Sequence, residues 1–312
     1  MKSSKPILRD MLGPIGGIIS SWGAIQLMIS VLNGNQPRLE LLQIAEGISI
    51  SFVVTPLGAV FGLVASVLWI FAAIYSVGYM RGNKEANQTR FYVFYAMAVH
   101  AALCIAYAGD LLTLFIFYEV LTFSTYPLVT HKQNELAQKA GRLYMSILVG
   151  TSVILLLPAI IWVWVVTGSL EMSQNGVLDG NINPEYAPYL LAMFVFGIGK
   201  AALIPIHKWL PAAMVAPTPV SALLHAVAVV KAGVFTMLLI LTNVFGIEFL
   251  SKTGASNWLV WLASFTLLTT SIIAIYKDDL KARLAYSTIS QLSYITLGGA
   301  LASSLATQGA TL

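Results

Sequence analysis

Apolar runs of about 20 residues recur along the whole chain with few charges inside them, and that repetition limits what the chain can fold into. Such a run covers roughly 30 Å as a helix rising about 1.5 Å per residue, the thickness of a bilayer's hydrocarbon. In lipid every backbone group needs a partner, so only helices or a closed barrel can span. A barrel would announce itself as short alternating strands, and the sequence leads us to expect none. Composition points the same way. Of 312 residues, 58% are hydrophobic and 10% charged, against about 25% charged in soluble domains, and the mean hydropathy is +0.81. The expected fold is an all-α, polytopic transmembrane helical bundle forming a single membrane domain over 1–312.

Nine hydrophobic segments can be drawn, roughly 11–32, 53–80, 91–108, 110–130, 141–166, 187–206, 216–246, 257–276 and 285–305. The opening "MKSSKPILRDMLGPIGG" has the basic start of a signal peptide. Its apolar stretch runs on to about residue 32 with no small-residue cleavage site, so it reads as a retained first helix. Between the third and fourth segments Gly109 and Asp110 mark a tight turn. The 167–186 stretch, "TGSLEMSQNGVLDGNINPEY", is a long polar connection. When the spans alternate from a cytoplasmic N-terminus, the Lys and Arg residues outside them fall on the cytoplasmic side except Arg38 and Lys252. The opposite side gathers Glu171, Asp179 and Glu185. This asymmetry accounts for the net charge of +4 without nucleic-acid binding, and no basic stripe with interleaved aromatics suggests otherwise.

Ionisable side chains inside spans are costly and usually line a polar pathway or are paired. Glu119 lies within "DLLTLFIFYEVLTFSTYPLV". Thr122, one turn on, is expected to donate to it, and Pro127 leaves the Phe123 carbonyl without its helical donor. Burial favours the neutral form of a carboxyl and a nearby ammonium favours the ionised one, a competition suited to a group that carries protons. Lys200 sits in "FGIGKAALIPIHKWLP". Gly-x-Gly-Lys hints at a phosphate loop, but Ala201 stands where that loop needs Ser or Thr, and no strand precedes it. Pro205, Pro211, Pro217 and Pro219 instead predict a broken helix around 200–219, a feature of transporter ion sites. His207, seven residues from Lys200, would share its face if the helix ran through. Lys231 is about mid-span in "PVSALLHAVAVVKAGVFTMLLI", and His225 lies some 240° round the helix from it. His100 has no partner evident from spacing, and Asp110 reads as a solvated helix cap. The candidate proton relay is Glu119, Lys200, Lys231 and His225, with His207, Asp110 and His100 as accessories. No nucleophile–base pair, metal cluster or cofactor motif stands out, and the lone Cys104 excludes an internal disulfide and a cysteine-held iron–sulfur cluster. We therefore expect no cofactor, and ion movement rather than catalysis.

The stretch "KAALIPIHKWLPAAMVAPTPVSALLHAVAVVKAG" at 200–233 resembles the signature of the proton-conducting antiporter-like subunits of respiratory complex I, membrane-bound hydrogenases and Mrp-type sodium/proton antiporters. "YSVGYM" at 75–80, "LLTLFIFYEVLTFSTYPLV" and "KDDLKARLAYSTISQLSYI" at 277–295 resemble the same family, in the expected order. "EVLTFSTYPLVTHK" is most similar to the D-like branch of the Mrp proteins. The resemblance implies roles by position: Glu119 as the family's essential glutamate, Lys200 as the broken-helix lysine that it modulates, Lys231 as the lysine linking two half-channels, and His225 as a relay histidine. It also implies two inverted repeats. The chain is expected to carry one in full, about 91–246, and the start of a second, 257–312, being shortened at both ends.

The resemblance leads to a membrane subunit that translocates protons, with Na⁺ exchange as one form, in a prokaryotic plasma membrane. The alternatives are the pumping arm of a redox-driven complex and a non-conducting structural subunit. Expected partners are other membrane subunits, one of them supplying the second half-channel, together with lipids.

Overall fold

The computed structural model describes residues 6–223 and 228–309. Helices α1 (Pro6–Leu32), α2 (Pro56–Gly82), α3 (Gln88–Ala106) and α4 (Leu111–Val129) come first, with a hairpin of β1 (Arg38–Ala45) and β2 (Ile48–Val53) between α1 and α2. Helix α5 (Glu135–Thr151) continues through a π-turn at Ser152–Leu156 into α6 (Leu157–Thr167), so the two form one 33-residue span. Helix α7 (Ala187–Gly197) is only 11 residues long, and short turns follow it, including α8 (Trp209–Ala212) and α9 (Thr218–Ala222). Then come α10 (Val229–Leu239), α11 (Ile247–Thr253), α12 (Asn257–Ile275) and α13 (Leu280–Gly309).

Local chemistry sets the ends. Thr55 caps α2, its hydroxyl accepting from the Gly58 amide at 3.1 Å, with Pro56 at the first helical position. Asn134 caps α5 in the same way, and Gly168 (φ 72°) ends α6 in the left-handed conformation glycine tolerates. Six helices among the described residues are long and apolar enough to cross a bilayer; the α10 segment, Val229–Phe245 with its π-helical end Ile240–Phe245, forms with α11 a pair bent by 75° that makes a seventh when counted as one span. The expected segments 187–206 and 285–305 fall on α7 with its broken continuation and on α13. Helices α1 and α12 present large apolar side chains outward, Trp22 and Trp261 among them, as lipid-facing helices do. Residues of α3, α4, α7 and α10 form the buried centre.

The hairpin corrects the reading that no strands were to be expected. β1 and β2 pair antiparallel across a turn at Glu46–Gly47. Gly47 has φ 73°, and a Cβ there would run into the Gly168 carbonyl. The hairpin's role is to tie connections together. Val53 N donates to Tyr107 O at 2.8 Å, Leu170 N to Gly47 O at 3.0 Å and Leu111 N to Leu170 O at 2.9 Å. Val177 N donates to Val244 O at 2.8 Å, which draws in the far end of the α10 segment. Arg38 pairs with Glu171 and Lys252 with Asp179 on this same face. The opposite face holds Arg9, Asp10 and Arg81, the Arg90 contact to the His131 carbonyl, and Lys281, which donates to Ala216 O at 2.8 Å. Alternation of the spans thus gathers the loops at two opposite ends of the bundle.

Candidate functional site: a lysine in a broken helix

Helix α7 stops at Gly197, and Lys200 occupies a 3₁₀ turn, Gly199–Ala201. Ala202 has φ 55°, and a cis bond joins Ile204 to Pro205, so the chain leaves helical geometry for several residues. Two close approaches make room for this. At Gly197 a Cβ would lie 2.5 Å from the Leu156 amide of the π-turn, and at Gly233 of α10 a Cβ would collide with the Lys200 carbonyl carbon. Only glycine permits backbones this near.

Breaking a helix at membrane depth frees amides and carbonyls that lipid cannot satisfy. Side chains repair them here. Trp209 Nε1 donates to Gly199 O at 3.0 Å, Lys200 N donates to the Tyr118 hydroxyl at 3.1 Å, and Ile204 N donates to Thr266 Oγ1 at 3.3 Å. Helices α4, α8 and α12 thus each contribute a partner.

The Lys200 side chain is fully buried. Its ammonium donates to Tyr118 O at 2.9 Å and to Thr122 Oγ1 at 2.5 Å, and lies 3.1 Å from the centre of the Tyr118 ring. A cation over an aromatic face, desolvated, gains roughly 2 kcal/mol or more. Thr122 itself donates to Tyr118 O at 3.1 Å. This corrects the expectation that Thr122 serves Glu119: its free lone pair faces the lysine. Behind this group Tyr144 bonds Thr125 and stacks edge-on against Trp209. Sequence reasoning passed over Tyr118, Tyr144 and Trp209, because an aromatic beside a charge in an apolar helix looks like any other core residue.

Glu119 follows Tyr118 on α4, about 100° further round. Both its carboxylate oxygens are shielded from solvent and have no hydrogen-bond partner among the described residues, and no ion pair there joins it to Lys200. Lys231 stands two residues before Gly233 on α10, some 200° round from the face that meets the Lys200 turn, so it lies on the side of α10 away from Lys200. His225 lies outside the described residues.

The accessory residues fare differently. His207 does not share a continuous helical face with Lys200, because the break intervenes. It sits in its own 3₁₀ turn, Ile206–Lys208, with its ring 6.3 Å from Tyr286 of α13. His100 bonds the Ala96 carbonyl at 2.8 Å and meets the edge of Trp69. Asp110 does cap α4, but it is buried rather than solvated. Its carboxylate accepts from Thr113 N and Oγ1 at 2.7 Å each and from Ser51 N and Oγ at 2.9 and 2.7 Å. Ser51 belongs to β2, so the hairpin that sequence reasoning missed is what covers this carboxylate. No group of His, Cys, Asp and Glu suited to a metal is found among the described residues.

The sequence profile described as NADH:quinone oxidoreductase/Mrp antiporter, transmembrane, matches residues 108–312. The chain belongs to this family. A second profile, the N-terminus of chain 5 of complex I NADH-ubiquinone oxidoreductase, matches residues 42–92. The protein named as antiporter subunit mnhA2 in Staphylococcus haemolyticus is 29% identical over 83% of this chain and 32% of its own length. Its namesake in Staphylococcus aureus strain MRSA252 is 32% identical over 77% of this chain and 29% of its own. The chain therefore spans about a third of the curated relatives it matches. Those relatives carry an A-type name, where the α4 wording pointed to the D-like branch. Among solved structures, a chain of the archaeal membrane-bound sulfane sulfur reductase superposes with TM-score 0.82 at 23% identity, covering 95% of this chain and 61% of that one. A chain of the Mrp complex from Dietzia sp. DQ12-45-1b gives TM-score 0.79 at 24% identity, covering 95% and 32%. These two likenesses speak for the fold.

Proposed function

We propose that this antiporter-family chain carries a proton half-channel within a multisubunit membrane complex of a prokaryotic plasma membrane, with its N-terminus in the cytoplasm. The observation that carries the reading is the Lys200 site: a fully buried ammonium bound to Tyr118 O and Thr122 Oγ1 in a repaired helix break, with Glu119 next on the same helix. The ammonium has two places to be. Against α4 it is held by dipoles and the Tyr118 ring, while Glu119 is left without a hydrogen-bond partner among the described residues. Paired with Glu119 it would stabilise the carboxylate. Moving between the two changes which group retains a proton, by the opposing effects of burial and a neighbouring charge. Lys231, on the far side of α10, receives the proton next with His225 as relay, while His207, His100 and Asp110 take no direct part. Residues 91–246 form the complete repeat and 257–312 open a second, and another subunit supplies the remaining half-channel. The relatives' names favour an antiporter, and in that form we take Na⁺ as the exchanged ion. The likeness to a chain of a respiratory sulfane sulfur reductase keeps the redox-driven arm as the second reading.

The test is proton flux, followed with a ΔpH dye, in inverted vesicles containing the chain assembled with its partner subunits. Lys200→Ala and Glu119→Gln should each lower flux at least tenfold with assembly intact. Wild-type flux in both variants would leave a sealing subunit that conducts nothing. Partners identified from mildly solubilised membranes then separate the two conducting readings. Cation-antiporter subunits support exchange, and iron–sulfur or quinone-site subunits support redox drive.

A further inference from the structure

The opposite face of the bundle holds a second construction that proton conduction does not use. Arg9 donates to Asp10 at 2.7 Å and to Gln88 at 2.7 Å, and Arg81 reaches the other Asp10 oxygen at 2.5 Å. Two guanidiniums thus share one carboxylate, leaving a net positive charge. Asp10 is buried, while the Arg81 side chain is about half exposed at 48%. Two apolar spaces open from this cluster, one on each side of α1. A cavity of about 270 Å³ between α1, α2 and α3 runs from Arg9 and Asp10 to Trp69 and His100. A groove of about 420 Å³ between the outer side of α1 and α2 runs from Arg81 and Asp10 to Ile18 and Ile74. Asp10, Pro14 and Val77 line both.

The inner cavity is not merely a packing gap. Trp69 is 1% exposed, and its indole N–H has no acceptor among the described residues. The Tyr92 hydroxyl and Thr89 Oγ1, also lining the cavity and shielded, lack partners there as well. Buried donors without acceptors cost about 1–3 kcal/mol each. Tyr92, whose ring lies 5.2 Å from the Arg9 guanidinium, and Thr89 on the same helix mark the charged end of the cavity as the place where an occupant would supply acceptor oxygens. Depth constrains it further. Trp69 is twelve residues from Arg81 on α2, about 18 Å along a helix, close to one leaflet of a hydrocarbon core about 30 Å thick.

We propose that the two spaces straddling α1 bind one two-chain anionic phospholipid. Its phosphate lies at Arg81 and Arg9, one acyl chain fills the cavity beside Trp69, the other fills the groove beside Ile74, and ester oxygens accept from Tyr92 and Thr89. The net charge at the mouth matches one phosphodiester, and basic clusters between helices at a membrane face recognise such headgroups. A neighbouring subunit's helix would bring neither the phosphate nor two chains converging on one charge. The site holds whether or not the chain conducts protons.

Native mass spectrometry of the full chain in mild detergent, with phosphatidylglycerol and phosphatidylcholine added in equal amounts, tests this. Wild type should retain one phosphatidylglycerol at least fivefold over phosphatidylcholine. Arg81→Gln should abolish the preference, and Val77→Trp, which intrudes on both spaces and leaves the charges alone, should remove the bound lipid. Circular dichroism checks that each variant folds. Should Val77→Trp fail to fold, Val93→Trp tests the inner cavity alone and should lower lipid retention several-fold. Equal retention of the two lipids by wild type would overturn the proposal. So would full phosphatidylglycerol retention by a folded Val77→Trp or Val93→Trp, or a photo-crosslinker at Val93 that captures a neighbouring subunit rather than lipid in native membranes.

Discussion

Gly233→Ala is a small change whose outcome can be worked from the structure. A methyl at Gly233 would overlap the Lys200 carbonyl carbon and lie 2.6 Å from the Ala201 amide nitrogen and 2.7 Å from Lys200 Cβ. Carbon contacts settle near 3.5–4.0 Å, so α10 and the 3₁₀ turn must separate by about 1 Å. Every atom in the way is backbone or the first side-chain carbon, so no flexible end can yield. Alanine in place of glycine within a helix would by itself gain about 1 kcal/mol. Overpacking costs about 1–3 kcal/mol, and contact with the Lys200–Ala201 peptide unit rather than a flexible side-chain end places this case at the upper end, so the clash wins by about 1–2 kcal/mol. The displacement also acts on Lys200, whose bonds to Thr122 and Tyr118 O at 2.5 and 2.9 Å cannot stretch by 1 Å and survive. Thermal unfolding of the chain in detergent should show a lowered midpoint, and proton flux in vesicles should fall at least tenfold. Gly78→Ala is the control: it sits in α2 with nothing within 4 Å of the added methyl, and should be neutral or slightly stabilising. If both glycine variants match wild type in midpoint and flux, the close approach of α10 does not fix the lysine, and the reasoning fails.

Thr122→Val keeps the side-chain shape but takes an acceptor from the Lys200 ammonium, a loss of about 1–3 kcal/mol. The chain should remain folded by circular dichroism while flux changes by at least fivefold. Asp110→Ala removes both the α4 cap, about 1 kcal/mol, and the acceptor that ties Ser51 of the hairpin to that helix. It should therefore lower the unfolding midpoint by more than Asn134→Ala, which only caps α5. His131, in the connection after α4, has its pKa lowered from 6.5 by burial and then by Arg90. The folded state therefore binds the proton less readily than the unfolded chain, so this contribution to stability is full above about pH 6.5 and is lost as pH falls through the folded-state value. His131→Asn should flatten the acid side of a midpoint-against-pH curve.

Much of the architecture could be read before any coordinates, because a bilayer imposes one length on every span and one rule on backbone groups. The break ahead of Pro205 and the charge at Lys200 were visible for the same reason: each is expensive in lipid and so carries information. The hairpin escaped because "RLELLQIA" and "ISISFV" are 8 and 6 residues long, too short to stand out against runs of about 20. Asp110 was misjudged as a consequence, since a cap at a helix end looks solvated unless the strand over it is known. Tyr118 and Thr122 were out of reach for another reason. Their roles come from how α4 meets a non-helical turn 78–82 positions away in sequence, and helical spacing carries no trace of that.

The repair of the break also limits how Lys200 can move. Its amide is held by the Tyr118 hydroxyl, the carbonyl of Gly199 before it by Trp209, and the amide of Ile204 after it by Thr266. Releasing any of these at membrane depth would strand a backbone group at a cost of several kcal/mol, while turning the lysine about its own side-chain bonds strands none. Tyr118 contributes to both: its hydroxyl holds the backbone, and its carbonyl and ring receive the ammonium. A fixed backbone with a long, cationic side chain pivoting on it is therefore the lowest-cost way for this fold to bring a charge towards Glu119 and withdraw it. The groups that mend the broken helix thereby confine the motion to the one side chain that the proposed pathway requires to move.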